Sequence, residues 1–139
     1  MANGFYQFGL RGFARGSIPW LASGGATVRT ALVDTADYAV DLVNHDFMDD
    51  VAAAAREETS GNMTLVDAAV DAVLDASDVT FVGTAGDTCE GILVYDFNTV
   101  DADSVPLFWW DSASGLPVTL GGDVTVQWGN TGGTLLARI

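Results

Sequence analysis

The stretch EGILVYDFNTVDADSVPLFWWD, residues 90–111, carries the clearest signal for the fold. Two runs rich in β-branched and aromatic residues, 90–97 and 105–111, flank a polar segment at residues 98–104. Residues of this kind favour strands, and a polar cluster between two such runs favours a turn. The stretch therefore predicts two strands that follow one another across a turn.

Shorter segments on either side repeat this pattern at the spacing of roughly 8–12 residues that sandwiches and barrels show. We predict further strands at residues 26–33, 65–75, 79–82, 118–120, 123–128 and 135–139, with 79–82 and 90–97 forming a hairpin. The three Asp of residues 65–75 also fit a helix face, and we favour a strand there.

One short helix is predicted at residues 45–56, HDFMDDVAAAAR, because the segment is rich in Ala and has acids near its start. The chain is then mainly β: an antiparallel β-sandwich or barrel-like domain with one short helix and an extended N-terminal arm. With 139 residues it has the size of one domain. We place the arm at residues 1–25 and a single β domain at residues 26–139.

The composition excludes several classes of protein. Hydrophobic residues make up 49% and charged residues 17%, which is too apolar for a disordered chain. No apolar run approaches the ~20 residues of a membrane span. The N-terminus does not have the pattern of a secretory signal, because no apolar run follows its arginines.

Charge is distributed unevenly along the chain, whose net charge is −14. Residues 1–33 contain three Arg and no acid, whereas residues 34–139 contain all 19 acids and two Arg. Nucleic acids and anionic membranes are bound largely through clustered Lys and Arg. We therefore expect neither a nucleic-acid partner nor a membrane partner.

The predicted arm is dense in aromatic residues and glycine, and two interpretations of it are open. Its apolar side chains either form a first strand and turn over the protein's own core or dock on a neighbouring subunit, where aromatic residues and Arg are enriched. On the docking interpretation the interface residues are Phe5, Tyr6, Phe8, Arg11, Phe13, Arg15 and Trp20.

Catalytic residues are not expected. His45 is the only histidine and its sequence neighbours do not establish a catalytic triad, which needs a base held against a nucleophile. Cys89 is the only cysteine, and the adjacent Glu90 discourages the thiolate form, so a buried inert thiol is predicted. Close carboxylate pairs are inevitable by chance among 19 acids.

Neither a metal site nor a cofactor is expected. Two acid pairs, Asp49 with Asp50 and Asp101 with Asp103, offer oxygen ligands for Ca²⁺ at subunit contacts, but neither has the spacing of an EF-hand loop. The glycine pairs lack the Lys of a phosphate-binding loop. Residues 109 and 110 are both Trp, and alternation along a strand places one in the core and the other at an interface or the surface.

Four blocks of sequence are familiar in combination: FYQFGLRGF with IPW, VRTALVDTADY, DVTFVGTAGDTCEGILVYDF and DSASGLPVTLGGDVTVQW. Together they resemble small virion structural proteins encoded among the head and tail genes of tailed bacteriophages. The resemblance spans nearly the whole chain and is poorest at residues 57–75. It implies a non-enzymatic protein, so no catalytic residues carry over.

The resemblance and the charge together predict a decoration or cement protein on the outer surface of a capsid. Its expected partners are the major capsid protein and neighbouring copies, with a trimer as the homo-oligomer, and removal of residues 2–20 should leave the β domain folded. Alternatives are a head-to-tail connector, a tail or fibre-base component, a carbohydrate- or receptor-binding module built on Trp109, Trp110 and Trp128, and a glycan hydrolase using two carboxylates.

Overall fold

Antiparallel strands make up most of the regular structure. The computed structural model describes residues 3–20, 26–66, 74–128 and 137–138. Its strands are β1 (Gly4–Phe5), β2 (Val28–Val33), β3 (Arg56–Thr59), β4 (Leu65–Val66), β5 (Asp75–Ala76), β6 (Val79–Phe81), β7 (Gly91–Asp96), β8 (Val105–Trp110), β9 (Val124–Trp128) and β10 (Ala137–Arg138). Helix α1 (Gln7–Arg15) is the one α-helix within those ranges. The predicted class, mainly β and antiparallel with one short helix, is confirmed.

The central sheet has five strands in the order β1-β8-β7-β2-β3, and each neighbouring pair is antiparallel. Its strands β7 and β8 come from the two apolar runs GILVYD and VPLFWW, in which Asp96 is the one residue that is not buried. Successive side chains of a strand point to opposite faces of a sheet. Unbroken apolar runs therefore belong to a sheet that is covered on both faces.

One face of the central sheet packs into the larger of two clusters of buried apolar side chains. Ile92 and Trp110 lie opposite each other on β7 and β8 and join this cluster. Val126 and Trp128 of β9 lie in it too, and β9 is the middle strand of a second sheet with the order β10-β9-β6. The Trp110 and Trp128 rings are 5.5 Å apart in a T-shaped arrangement, so the two sheets share one core.

The opposite face of the central sheet is covered by Tyr6 and by residues 34–55. Leu93 and Trp109 point to this side and pack with Tyr6, Tyr38 and Met48 in the second cluster. Trp109 and Trp110 are thus both core residues, on opposite faces. The prediction that one of them lies at an interface or the surface is wrong, because segment 34–55 covers the second face.

Residues 3–20 are part of the domain rather than an extended arm. Strand β1 adds to the edge of β8, with Phe5 opposite Phe108, and the chain then enters α1. Tyr6 is fully buried and Trp20 nearly so. The predicted boundary between an arm and a β domain is therefore wrong, because these aromatic side chains fill the protein's own core. Burying large rings in this way is strongly favourable.

The helix predicted at residues 45–56 is absent. This segment contains the 3-10 turns Met48–Asp50 and Ala53–Ala55 and then enters β3. The backbone N–H of Met48 donates to the carbonyl of Ser104 at 2.9 Å, so a tertiary hydrogen bond replaces a helical one. No helix in the described ranges is long and apolar enough to cross a bilayer.

The prediction of a single strand over residues 65–75 is also wrong. Residues 67–73 of that range lie outside the described part of the chain. Strands β4 and β5 pair with each other in antiparallel fashion, so they are two strands and not one. The segment 118–120 contributes only an isolated bridge from Val118 to Cys89. Within the strand predicted at residues 135–139, the structure describes only Ala137–Arg138, which form β10.

The predicted hairpin between residues 79–82 and 90–97 does not form, although both strands exist. Strand β6 pairs with β9, whereas β7 pairs with β2 and β8 in the central sheet. Two contacts tie the loop after β6 to the turn before β9: Gly83 donates its N–H to Asp123 at 2.9 Å, and Thr84 donates to Gly122 at 3.0 Å. These long-range bonds direct the two strands into different sheets.

Candidate functional site

Helix α1 lies against β8 at a very short distance. Its Gly9 and Gly12 are buried, and a Cβ on Gly9 would lie 2.6 Å from the carbonyl oxygen of Pro106. The register of β8 shifts at this point, so that Leu107 has no partner on β7. Gly16 ends the helix in the left-handed region, with φ of 70°. The two glycines thus fix which face of α1 is directed away from the protein.

The other side of α1 forms an exposed stripe, which we call the outer face of α1. Its residues recur at intervals of three and four and are Gln7, Leu10, Arg11, Ala14 and Arg15. Leu10, on the same face as the two arginines, is 49% exposed. A cationic stripe with an apolar centre has the composition of an interface rather than of a solvated helix face.

The arginines of this face differ from the others that the structure describes. The Arg56 guanidinium binds both carboxylate oxygens of Asp101, at 3.1 and 2.7 Å, which holds the pKa of Asp101 below its usual value. Arg29 donates to Asn62 and stacks on an aromatic ring. By contrast, no acidic side chain within the described ranges forms an ion pair with Arg11 or Arg15. Their charge is thus available to a partner.

The Arg11 guanidinium is held in place by stacking on the ring of Phe8, 4.4 Å from its centroid. Arg11 and Arg15 line a groove of about 420 Å³, whose walls also include Phe97, Asp96 and Asp103. Burial raises the pKa of Asp96, and the N–H of Thr27, which donates to it at 3.0 Å, opposes that rise. The groove therefore has a cationic wall on α1 and carboxylates elsewhere in its lining.

The seven predicted interface residues are divided between the core and the surface. Tyr6 and Trp20 are buried, and Phe8 and Phe13 are partly buried and pack against the larger cluster. Only three are exposed, namely Phe5, Arg11 and Arg15. The prediction that all seven residues form one interface is wrong for the buried aromatic residues Tyr6 and Trp20. The residues missed were Gln7, Leu10 and Ala14, and their helical spacing with the two Arg is the signal that identifies them.

His45 takes part in a chain of side-chain hydrogen bonds rather than in a catalytic pair. Its Nδ1 lies 2.8 Å from the hydroxyl of Tyr38, which lies 2.9 Å from the hydroxyl of Tyr6. Burial raises the pKa of both tyrosines, so their hydroxyls remain neutral. No serine or cysteine contacts His45 within the described residues. This chain connects the N-terminal segment to residues 34–55.

Cys89 is fully buried, as predicted. Burial, reinforced by Glu57 and Glu90, raises the pKa of Cys89 to about 12. A neutral, enclosed thiol does not act as a nucleophile.

Three carboxylates lie close together, and they are not those of the two acid pairs predicted as Ca²⁺ ligands. Carboxylate oxygens of Asp34, Glu57 and Asp87 lie within 4.8 Å of one another. Asp101 is committed to Arg56, and Asp50 accepts the backbone N–H of Asp46 at 3.0 Å. Asp34 is buried and accepts the N–H of Ala36 at 2.7 Å, and Glu57 accepts the N–H of Asp87 at 3.2 Å, so backbone groups account for two of the three carboxylates and we assign no metal here.

The tryptophans that motivated a carbohydrate-binding module are buried. Trp109, Trp110 and Trp128 are 0, 4 and 3% exposed, so none presents a ring face on which a sugar could stack. Comparisons with models of known families, with curated proteins and with solved structures found no match.

Proposed function

We propose that this protein is a non-enzymatic virion structural protein of a tailed bacteriophage, a decoration or cement protein of the outer capsid surface. It binds the major capsid protein and neighbouring copies. The observation that carries the proposal is the outer face of α1, where Arg11, Arg15 and Leu10 are exposed and no described acid pairs with the arginines. The resemblance of the strand and turn blocks supplies the virion context.

Such a face is suited to binding carboxylate groups on a partner protein. Arginine combines a fixed charge with five hydrogen-bond donors, and it is among the residues that dominate interface energetics. The stacking of Arg11 on Phe8 restricts the guanidinium before binding, so less side-chain entropy is lost. Contacts repeated around a symmetric shell then add up to a much higher effective affinity.

The net charge of −14 favours the outer capsid surface over the lumen. A packaged genome is a dense array of phosphates, and it repels an acidic protein. A position outside the shell avoids that repulsion. The same net charge keeps a protein of high copy number soluble.

A glycan hydrolase would require a carboxyl with a raised pKa in a cleft, and Asp96 meets that requirement in part. Its carboxylate, however, accepts the N–H of Thr27 and so anchors the chain at the start of β2. No hydrogen bond joins it to a second carboxyl in the part of the chain that is described. We therefore assign Asp96 a structural role and retain the binding function.

The proposal is tested with phage particles that lack this protein. Wild-type chain should cosediment with them, and Arg11→Glu combined with Arg15→Glu should weaken that binding by at least about tenfold, because like charges then face the carboxylates of the partner. Val82→Glu, Ala85→Glu, Ser114→Glu and Thr119→Glu together add four negative charges at exposed positions outside α1, the same change in net charge, and serve as the control. A wild-type chain that does not bind the particles would overturn the proposal.

Copy number separates the proposal from its neighbours in the virion. A decoration protein approaches the number of capsid subunits, whereas a connector is present in roughly a dozen copies. Quantitative electrophoresis of purified particles measures this ratio directly. A count near a dozen would replace the decoration role with a connector role.

A further inference from the structure

The outer face of α1 continues into a second exposed region that is acidic. The N–H of Gln7 donates to the carbonyl of Leu42 at 2.8 Å, which fixes the start of α1 beside the turn at residues 42–44. That turn presents Val43, which is 60% exposed. The rings of Phe8 and Phe47 lie 5.1 Å apart, so α1 also contacts the chain that follows the turn.

The chain around Phe47 presents carboxylates. Asp46, Asp49 and Asp50 are all exposed, and Asp50 accepts the N–H of Asp46 at 3.0 Å, which shapes the turn. The ring of Phe8 contacts Arg11 and also Phe47. Arg11 therefore adjoins the Phe8 and Phe47 rings, and exposed carboxylates lie next to Phe47 in the chain. We call Leu10, Arg11, Arg15, Val43, Asp46 and Asp49 the bipolar patch.

We propose that the bipolar patch binds a second copy of this chain across a two-fold axis. In such an isologous contact the same patch is used by both copies, and the rotation brings the positive end of one onto the negative end of the other. Arg11 and Arg15 of each copy then face Asp46 and Asp49 of the other copy. Leu10 and Val43 are covered between them.

The composition of the patch favours this occupant over an unrelated partner. An acidic protein would neutralise the arginines but repel Asp46 and Asp49, and a basic protein would do the reverse. A second copy presents both signs, together with its own exposed Leu10 and Val43. Within one copy the charges do not pair with each other in the described residues, so both remain available.

This inference rests on the proposed function, because it names the partner of the outer face of α1. It also departs from the trimer that the resemblance implied, since a two-fold contact produces a dimer. The second copy then occupies the outer face of α1 and the dimer as a whole contacts the major capsid protein, so loss of the dimer in the Arg11→Glu, Arg15→Glu variant also weakens binding to particles.

The test uses two full-length variants with opposite patches. The acidic variant carries Arg11→Glu and Arg15→Glu, and the basic variant carries Asp46→Arg and Asp49→Arg. Asp50 is left intact because it shapes the turn. Each variant alone faces like charges across the axis, so its dimer dissociation constant should rise at least about 100-fold. An equal mixture restores attraction at both ends and should form a heterodimer.

Mass is measured by light scattering after size exclusion, and circular dichroism shows that each variant is folded. A dimeric wild type, monomeric variants and a dimeric mixture support the inference. A monomeric wild type, a trimer, or dimers that persist in both variants would overturn it. The control with Val82→Glu, Ala85→Glu, Ser114→Glu and Thr119→Glu changes the net charge as much as the acidic variant does and must remain dimeric, because otherwise net charge and not the patch determines assembly.

The same variants separate this inference from the proposed function. A monomeric wild type that still binds particles through Arg11 and Arg15 contradicts the dimer alone. A dimer that depends on the patch but never binds particles contradicts the virion role alone.

Discussion

The two faces of residues 3–20 differ in what their side chains contribute. The inner face places Tyr6, Gly9 and Trp20 against the central sheet, where they are buried. The outer face of α1 leaves Leu10 and Arg11 exposed. The buried side of this short segment therefore serves folding and its exposed side serves binding, so substitutions can separate the two roles.

Substitutions on the two faces should change the free energy of unfolding by very different amounts. A buried aromatic side chain removes roughly 150–250 Å² from water, and truncating one typically costs about 3–5 kcal/mol. Substitutions at exposed positions usually change stability by no more than about 0.5 kcal/mol. The inner face should therefore determine stability, and the outer face should determine association.

The largest expected effect comes from deleting residues 2–20. Because β1, Tyr6 and Trp20 would be lost together, we expect no cooperative unfolding transition and weak near-ultraviolet circular dichroism. The full-length Arg11→Gln, Arg15→Gln variant is the control and should unfold as the wild type does. A truncated chain with a sharp transition near that of the wild type would show that this segment is an arm after all.

The next largest effect is expected for Gly9→Ala. Alanine favours a helix by about 1 kcal/mol, but here its Cβ would lie 2.6 Å from the Pro106 carbonyl oxygen, a backbone atom that cannot rotate away. Overpacking of this kind costs about 1–3 kcal/mol, so we expect a net loss of roughly 1–2 kcal/mol. Urea titration measures it.

Gly12→Ala is the matched control for Gly9→Ala, because there the nearest atoms belong to the side chain of Ile18, which can adjust. Gly12→Ala should lower the free energy of unfolding by less than Gly9→Ala does. Equal or greater stability of the Gly9→Ala variant would mean that α1 does not approach β8 this closely.

A smaller effect is expected for Tyr6→Phe, which removes one hydroxyl from the buried face. The Tyr38 hydroxyl retains His45 as a partner, so no buried group is left without a hydrogen bond. The loss should be about 1 kcal/mol, the usual contribution of a single hydrogen bond. Arg11→Gln on the outer face should change stability by less than this, and the reverse order would contradict the division between the two faces.

Much of the central sheet was predictable from sequence because both of its faces are apolar. The runs that became β7 and β8 were identified, with their turn, since an unbroken apolar stretch of this length and composition favours a buried strand. Strands β2, β6 and β9 were identified for similar reasons. The pairing of β6 was not, because it depends on contacts between its loop and the distant Gly121–Gly122 turn.

The site was predicted only in part, and the reason is again tertiary structure. Arg11 and Arg15 were identified as exposed cations, but the aromatic residues between and around them were assigned to the same surface. Helix α1 contains three glycines counting its cap, which lowers its intrinsic helix propensity. It forms because Gly9 permits close packing on β8 and Gly12 leaves room for Ile18, and these contacts depend on tertiary structure that the local sequence does not show.

The smallest expected effect compares paired and unpaired arginines. Arg56 binds Asp101 through two hydrogen bonds and lowers the pKa of Asp101. The pair therefore stabilises the fold fully at pH values above the ordinary Asp pKa of about 3.9. Because the Asp101 side chain is 45% exposed, Asp101→Asn should cost only about 0.5 kcal/mol at pH 7. As pH falls through the lowered pKa, Asp101 becomes protonated and the pair is lost.

The stabilities of the wild type and the Asp101→Asn variant should therefore converge at acid pH, as measured by urea titration from pH 7 to pH 3. Asp103→Asn, on the same turn, provides the control, since Asp103 forms no ion pair in the described residues and its replacement should have little effect at any pH. A difference between wild type and Asp101→Asn that is independent of pH would contradict the ion pair. Arg56 would then resemble Arg11, and the contrast between a neutralised and an available arginine would no longer support docking through α1.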